Sequence, residues 1–175
     1  MPFLAQHDQM DNFLVSLVRD HTRYEPIVKF LDTIIEASGD LTWGELETVG
    51  QEVARLLEAD YCEALRKGMV TKLGAQDQNS ERVSTLRKFT AEMIRSPKSI
   101  DANSIDGLRA IGLSDQGIED LIGWISILQM YSVVEHAFGF AGLPQQVLDE
   151  IASGTVENKG YLPSFQHFVE MSRGA

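Results

Sequence analysis

The chain has one cysteine, Cys62, in 175 residues. A lone thiol forms no internal disulfide and no cysteine-rich metal site, and it fits a reducing compartment. Cations are also scarce. Fifteen Lys and Arg against 26 Asp and Glu give a net charge of -11, with a pI near 4.7. Such a surface repels phosphate backbones and anionic lipid, so neither nucleic acid nor membrane is an expected partner. Of the four histidines, His7, His21 and His167 have no metal-ligand spacing, so no metal is expected. Gly-x-Gly-x-x-Gly and Walker-type loops are missing, and no cofactor is expected. Residues 1–20 carry acids early and lack a charged-then-apolar leader pattern, which reads as mature cytoplasmic sequence. The uncharged run from Leu121 to Val134 falls short of the roughly 20 residues of a spanning helix. Glu135 and His136 interrupt it, so a core helix partly buried in an oligomer interface is expected.

No β-type alternation stands out. Apolar residues recur at three- and four-residue spacing instead, which predicts an all-α fold, a compact multi-helix bundle in a single domain over residues 1–175. Helices are expected over Asp11–Thr22, from Pro26 to a stop at Gly39, and after a capping box at Thr42-Trp43-Gly44-Glu45. A further stretch is expected from Asp60, separated from the preceding helix by a kink or a break. Residues 74–80 read as a loop, Ser80–Ile94 as a helix, and Asn103 as the cap of a short helix closed by Gly112. Ser114 opens a long helix to about Phe140, and Pro144 starts another that runs to Ala152. The tail from Ser153 is expected to be irregular, with a last helical turn or two over Ser164–Met171.

The chemistry concentrates between Leu41 and Met69. Glu47 lies on a helix, Ala59 follows twelve residues later, then Tyr61-Cys62, then Arg66 four residues beyond the cysteine. On a helix Cys62 and Arg66 share a face. A guanidinium beside a thiol favours the thiolate, as does a place in the first turn of a helix starting near Asp60. Free cysteines are also commonly inert, buried small hydrophobes. Glu47 reads otherwise as a solvated residue pairing with Arg55 or Lys67, and Arg66 as a surface partner of Glu58 or Glu63.

This segment resembles the signature of the alkylhydroperoxidase-like, carboxymuconolactone-decarboxylase-like superfamily, in which a helical glutamate is followed by Cys-x-x-Cys and then a histidine. Leu108-Arg109-Ala110-Ile111-Gly112-Leu113-Ser114-Asp115, with the apolar helix leading to Gly142-Leu143-Pro144, is similar to its peroxidase-related branch. The resemblance implies that Glu47, Cys62 and Arg66 occupy the catalytic positions, with Tyr61 in the pocket; His136, which follows the buried run, reads either as a pocket residue replacing the missing base or as a histidine at the polar edge of a core helix. Two positions depart from the pattern: Ala59 replaces the first cysteine and Arg66 replaces the histidine. The dithiol cycle therefore cannot close within one subunit, and arginine cannot shuttle protons.

The leading expectation is a peroxidase-related, antioxidant-type oxidoreductase with peroxiredoxin-type activity, weak or altered, resting on Cys62 and reset by an external thiol reductant. The alternatives are a non-catalytic oligomeric or partner-binding homologue, and a decarboxylase-like enzyme binding a small acidic metabolite through Arg66 and His136. The resemblance also implies a homo-oligomer, a dimer, trimer or hexamer. The apolar circumference of 121–134, with Phe138, Phe140, Tyr161, Phe165 and Phe168, points the same way.

Overall fold

The computed structural model describes residues 3–7, 12–37, 39–74, 77, 79–140 and 142–174. Among them the structure is all-helical, with no strand. After a 3-10 turn at Ala5–His7 come α1 (Phe13–Arg19), α2 (His21–Ala37), α3 (Trp43–Leu56), α4 (Asp60–Lys72) and α5 (Glu81–Arg95). A second 3-10 turn at Pro97–Ser99 leads to α6 (Ala102–Ala110), α7 (Asp115–Phe138), α8 (Gln145–Glu157) and α9 (Tyr161–Gly174). The expected start of the first helix at Asp11 and part of the expected loop at 74–80 lie outside the described residues.

Local chemistry sets most boundaries. Thr42 and Glu45 form the reciprocal capping box that opens α3. Ser80 accepts from Val83 N–H at the head of α5, and Ser114 accepts from Gly117 N–H at the head of α7. Gly139, at φ 72°, ends α7 in the left-handed region where glycine is favoured. Between α3 and α4 the chain makes a full break, with Glu58 itself at φ 57°.

Four expected boundaries are corrected. Helix α2 begins at His21, so Pro26 lies inside it. Pro26 and Thr22 are both exposed, so the Thr22 carbonyl that proline leaves without a helical donor faces water. Asp101, not Asn103, caps α6, because its carboxylate accepts from the backbone of both Asn103 and Ser104. Helix α8 continues past Ala152 to Glu157. The tail beyond it is a full helix, α9, with Pro163 in its first turn, where no amide donor is needed.

One buried cluster takes side chains from α1 to α9, including Phe13, Leu31, Leu46, Leu86, Leu108 and Leu148. At its centre α7 contributes Leu121, Trp124 and Ile125, each 0% exposed. The Trp124 indole donates to the Leu46 carbonyl at 2.6 Å, satisfying a polar group that burial would otherwise penalise. By length and composition α7 also passes as a membrane span, but its buried face is part of this core. The opposite face carries Val133, 52% exposed.

Helices α3 and α4 pack together, with α7 against α3, α8 against α4, and α9 against α2. That arrangement builds the candidate site.

Candidate functional site

Glu47 comes from the core-facing side of α3 and is fully buried. A buried carboxylate needs donors, and it has three. Arg66 Nη1 donates to Oε2 at 2.9 Å, Trp43 Nε1 to Oε1 at 2.8 Å, and the Tyr161 hydroxyl to Oε1 at 2.5 Å. Tyr161 also accepts from Arg66 Nη1. The guanidinium carbon lies 4.8 Å from the Tyr161 ring centre and 5.7 Å from that of Trp124, so the cation is held by aromatic faces as well as by the carboxylate. Burial works against the charged guanidinium, but Tyr161 and Glu47 outweigh it and raise the Arg66 pKa.

Gly50 makes room for this packing. A Cβ there would lie 2.6 Å from Leu128 Cδ1 and 3.3 Å from Arg66 Cδ.

The structure brings Glu47 and Arg66 together across α3 and α4, and the surface pairings considered for each do not form; Arg55 pairs with Glu52. Cys62 lies four residues before Arg66 on α4 and is 8% exposed. Cys62, Tyr61 and Arg66 line one cavity of about 90 Å³. Phe13, Leu31, Leu65 and Phe165 supply apolar wall, with Tyr131 and Tyr161 beside the cysteine and arginine. The Tyr131 hydroxyl is buried and has no hydrogen-bond partner. A larger hollow of about 460 Å³ lies at the surface between α1, α8 and α9 and contains none of these residues.

Glu135 is the acid beside the thiol. Ala59, at the N-cap of α4, offers no side-chain cap. The Glu135 carboxylate reaches in from α7 and accepts from the backbone N–H of Tyr61 at 2.8 Å and of Cys62 at 3.1 Å. The positive helix end expected to favour a Cys62 thiolate is therefore occupied by a carboxylate. Burial pushes the Cys62 thiol well above its ordinary range, and Glu135 adds to the rise through its charge and a hydrogen bond. Arg66 and a hydrogen bond to Ser132 pull the other way without offsetting it. Burial likewise raises the Tyr61 and Tyr131 hydroxyls.

His136 is exposed, and its ring nitrogen sits 2.7 Å from the Leu57 carbonyl. It is not among the cavity residues; the preceding position on the helix, Glu135, is the one that faces inward and is buried, though it does not line the cavity either.

No family model matches the sequence. No curated protein matches it either.

Sequence reasoning missed Glu135 and Tyr161. The capless Ala59, together with an acid and Ser132 near the end of an apolar helix, carried a usable signal for Glu135. Tyr161 had none, since its segment read as irregular. Asp32 of α2 places it: the carboxylate accepts from the N–H of Tyr161 and of Leu162, each at 2.7 Å. Burial outweighs these two bonds and raises the Asp32 pKa.

Proposed function

We propose that this chain is a small-molecule-binding helical protein of the alkylhydroperoxidase-like group in which the dithiol peroxidase chemistry has been lost. One observation carries the reading. The only thiol opens onto a small cavity, but it is buried beside Glu135 and held in the protonated form, which is neither a good nucleophile nor readily oxidised. Ala59 leaves it without a resolving partner. Arg66, at the position of the family's histidine, is locked to Glu47 and Tyr161 and organises the cavity wall. What remains is a small, mostly apolar pocket with a few convergent polar groups, the usual form of a ligand site.

The test has two arms. Purified protein is assayed for hydroperoxide consumption with a thiol reductant, against Cys62→Ala. In parallel, small organic molecules are screened by methyl NMR on Val28, Leu31 and Leu65. The reading expects equal background rates in the two proteins and ligand-dependent shifts at those methyls. Turnover that disappears in Cys62→Ala would reject it.

The second reading, a peroxidase-related enzyme with Cys62 as its single redox centre, is favoured by the cavity that Cys62 shares with Arg66. Alkylation of native Cys62 at neutral pH, at a rate like that of a free thiol, supports it.

We also propose that the protein is a cytoplasmic homo-oligomer. The outer face of α7, with exposed Val133 and partly exposed Ile127 and Met130, and exposed Phe30 on α2, supports an interface between copies. Light scattering giving a mass of 19.5 kDa, that of one chain, would remove this part of the proposal.

A further inference from the structure

The cavity beside Cys62 also has a chemical preference, and this inference rests on reading it as a ligand site. Its volume is about 90 Å³. An engineered apolar cavity of about 150 Å³ takes benzene, so the occupant held here has fewer heavy atoms than benzene. Its walls are largely Phe13, Leu17, Val28, Leu31, Leu65 and Phe165, which suits a hydrocarbon body.

The polar groups are biased toward donation. Tyr131 is 5% exposed, and its hydroxyl has no partner, an arrangement that costs stability unless something in the site completes it. The Cys62 S–H already donates to the Glu135 carboxylate, so it is not a free donor to the cavity. Arg66 donates to Glu47 and Tyr161 through Nη1, and a guanidinium carries five N–H donors and no acceptor. A ligand with an accepting oxygen suits the Tyr131 hydroxyl and the remaining guanidinium donors.

Charge then discriminates among acceptors. The one cation, Arg66, is paired with Glu47. Glu135 adds a second carboxylate behind the cavity wall, bonded to the Cys62 backbone N–H, so with Arg66 and Glu47 the formal charge around the cavity is minus one. Asp32, behind Tyr161, is of the same sign. A carboxylate entering the cavity would lie against this excess of negative charge, and like charges repel.

We propose that the cavity selects a small uncharged carbonyl compound, a short-chain ketone being the simplest, and rejects a carboxylate of the same size.

The test is a methyl NMR titration of the full chain with two probes of matched size, butan-2-one and propionate. The cavity reporters are Val28, Leu31 and Leu65. Millimolar affinity is expected for the ketone, since so few atoms supply little binding energy. Propionate should bind at least tenfold more weakly. Tyr131→Phe, which removes only an unpartnered hydroxyl and keeps the ring, should weaken the ketone by about two- to tenfold, the worth of one ordinary hydrogen bond. Propionate binding as well as or better than butan-2-one overturns the selectivity and leaves the ligand site standing. Unchanged ketone affinity in Tyr131→Phe also overturns the inference. Failure of both probes to move any cavity methyl rejects the ligand site along with it.

Discussion

Replacing Arg66 by methionine keeps much of the side-chain volume and removes the cation. Glu47 is then left fully buried with only the neutral donors Trp43 and Tyr161. Breaking a buried ion pair in this way costs about 3–5 kcal/mol, because the remaining charge is stranded. Against a typical total of about 5–15 kcal/mol, that is a large part of the stability. The double variant Glu47→Gln, Arg66→Met removes both charges, and the amide oxygen can still accept from Trp43 and Tyr161. Its cost is expected to be about 1–2 kcal/mol, since exchanging a whole buried pair for neutral groups is often close to neutral. Glu47→Gln alone strands the buried Arg66 in the same way, so across the cycle the two single costs together should exceed that of the double variant by about 2 kcal/mol or more. Denaturant unfolding at pH 7, followed by both circular dichroism and tryptophan fluorescence, measures each corner. Costs that simply add, or an Arg66→Met loss below about 1 kcal/mol, would refute the claim that this pair is buried and mutually dependent.

Three further outcomes are expected. The raised Cys62 pKa means that folding favours the neutral thiol. This contribution is fully present below the unfolded thiol value of about 8.5 and is lost as pH rises toward the folded value, at about 1.4 kcal/mol per pH unit. Unfolding free energy should thus fall more steeply above pH 9 in the wild type than in Cys62→Ala, and parallel curves would contradict the assignment. Ala59→Cys should form a disulfide with Cys62 under mild oxidation, because the two positions straddle the start of α4 as Cys-x-x-Cys pairs do; two free thiols counted by alkylation and mass spectrometry would show that the Cβ atoms are misdirected. Gly50→Ala should lose about 1–2 kcal/mol in a melt, overpacking against Leu128 and Arg66 exceeding the gain in helix propensity, and a stabilised variant would mean that the close approach is relieved cheaply.

The parts of this molecule written in local chemistry were readable in advance. The Thr42–Glu45 box, Ser80 and Ser114 at the heads of their helices, and the three- and four-residue apolar spacing each act within a turn or two of helix. Spacing within one helix also placed Cys62 and Arg66 on a common face, but the ion pair of Glu47 with Arg66 across α3 and α4 was not legible, because each residue alone suggested a surface partner. What escaped depends on long-range partners. Glu135 meets the Cys62 backbone from 73 residues away, and Tyr161 meets Glu47 from 114 residues away. No window of sequence contains either pair. The tail was misread for a related reason: α9 packs on α2 and is anchored by Asp32, neither of which its own glycines and proline reveal. The consequence for function is direct, because the carboxylate that governs Cys62 arrives through one of these distant contacts.

The protonation state of Cys62 carries the most weight, and the chain's single cysteine makes it directly observable. Cysteine labelled with ¹³C at Cβ gives one resonance, whose shift is followed from pH 6 to pH 10 in the native protein. The expected result is a flat profile up to about pH 9.5, the thiol staying protonated through the whole range in which a free cysteine, with pKa about 8.5, would titrate. A clean titration with a midpoint below about pH 8 would contradict the account and restore Cys62 as a reactive thiol.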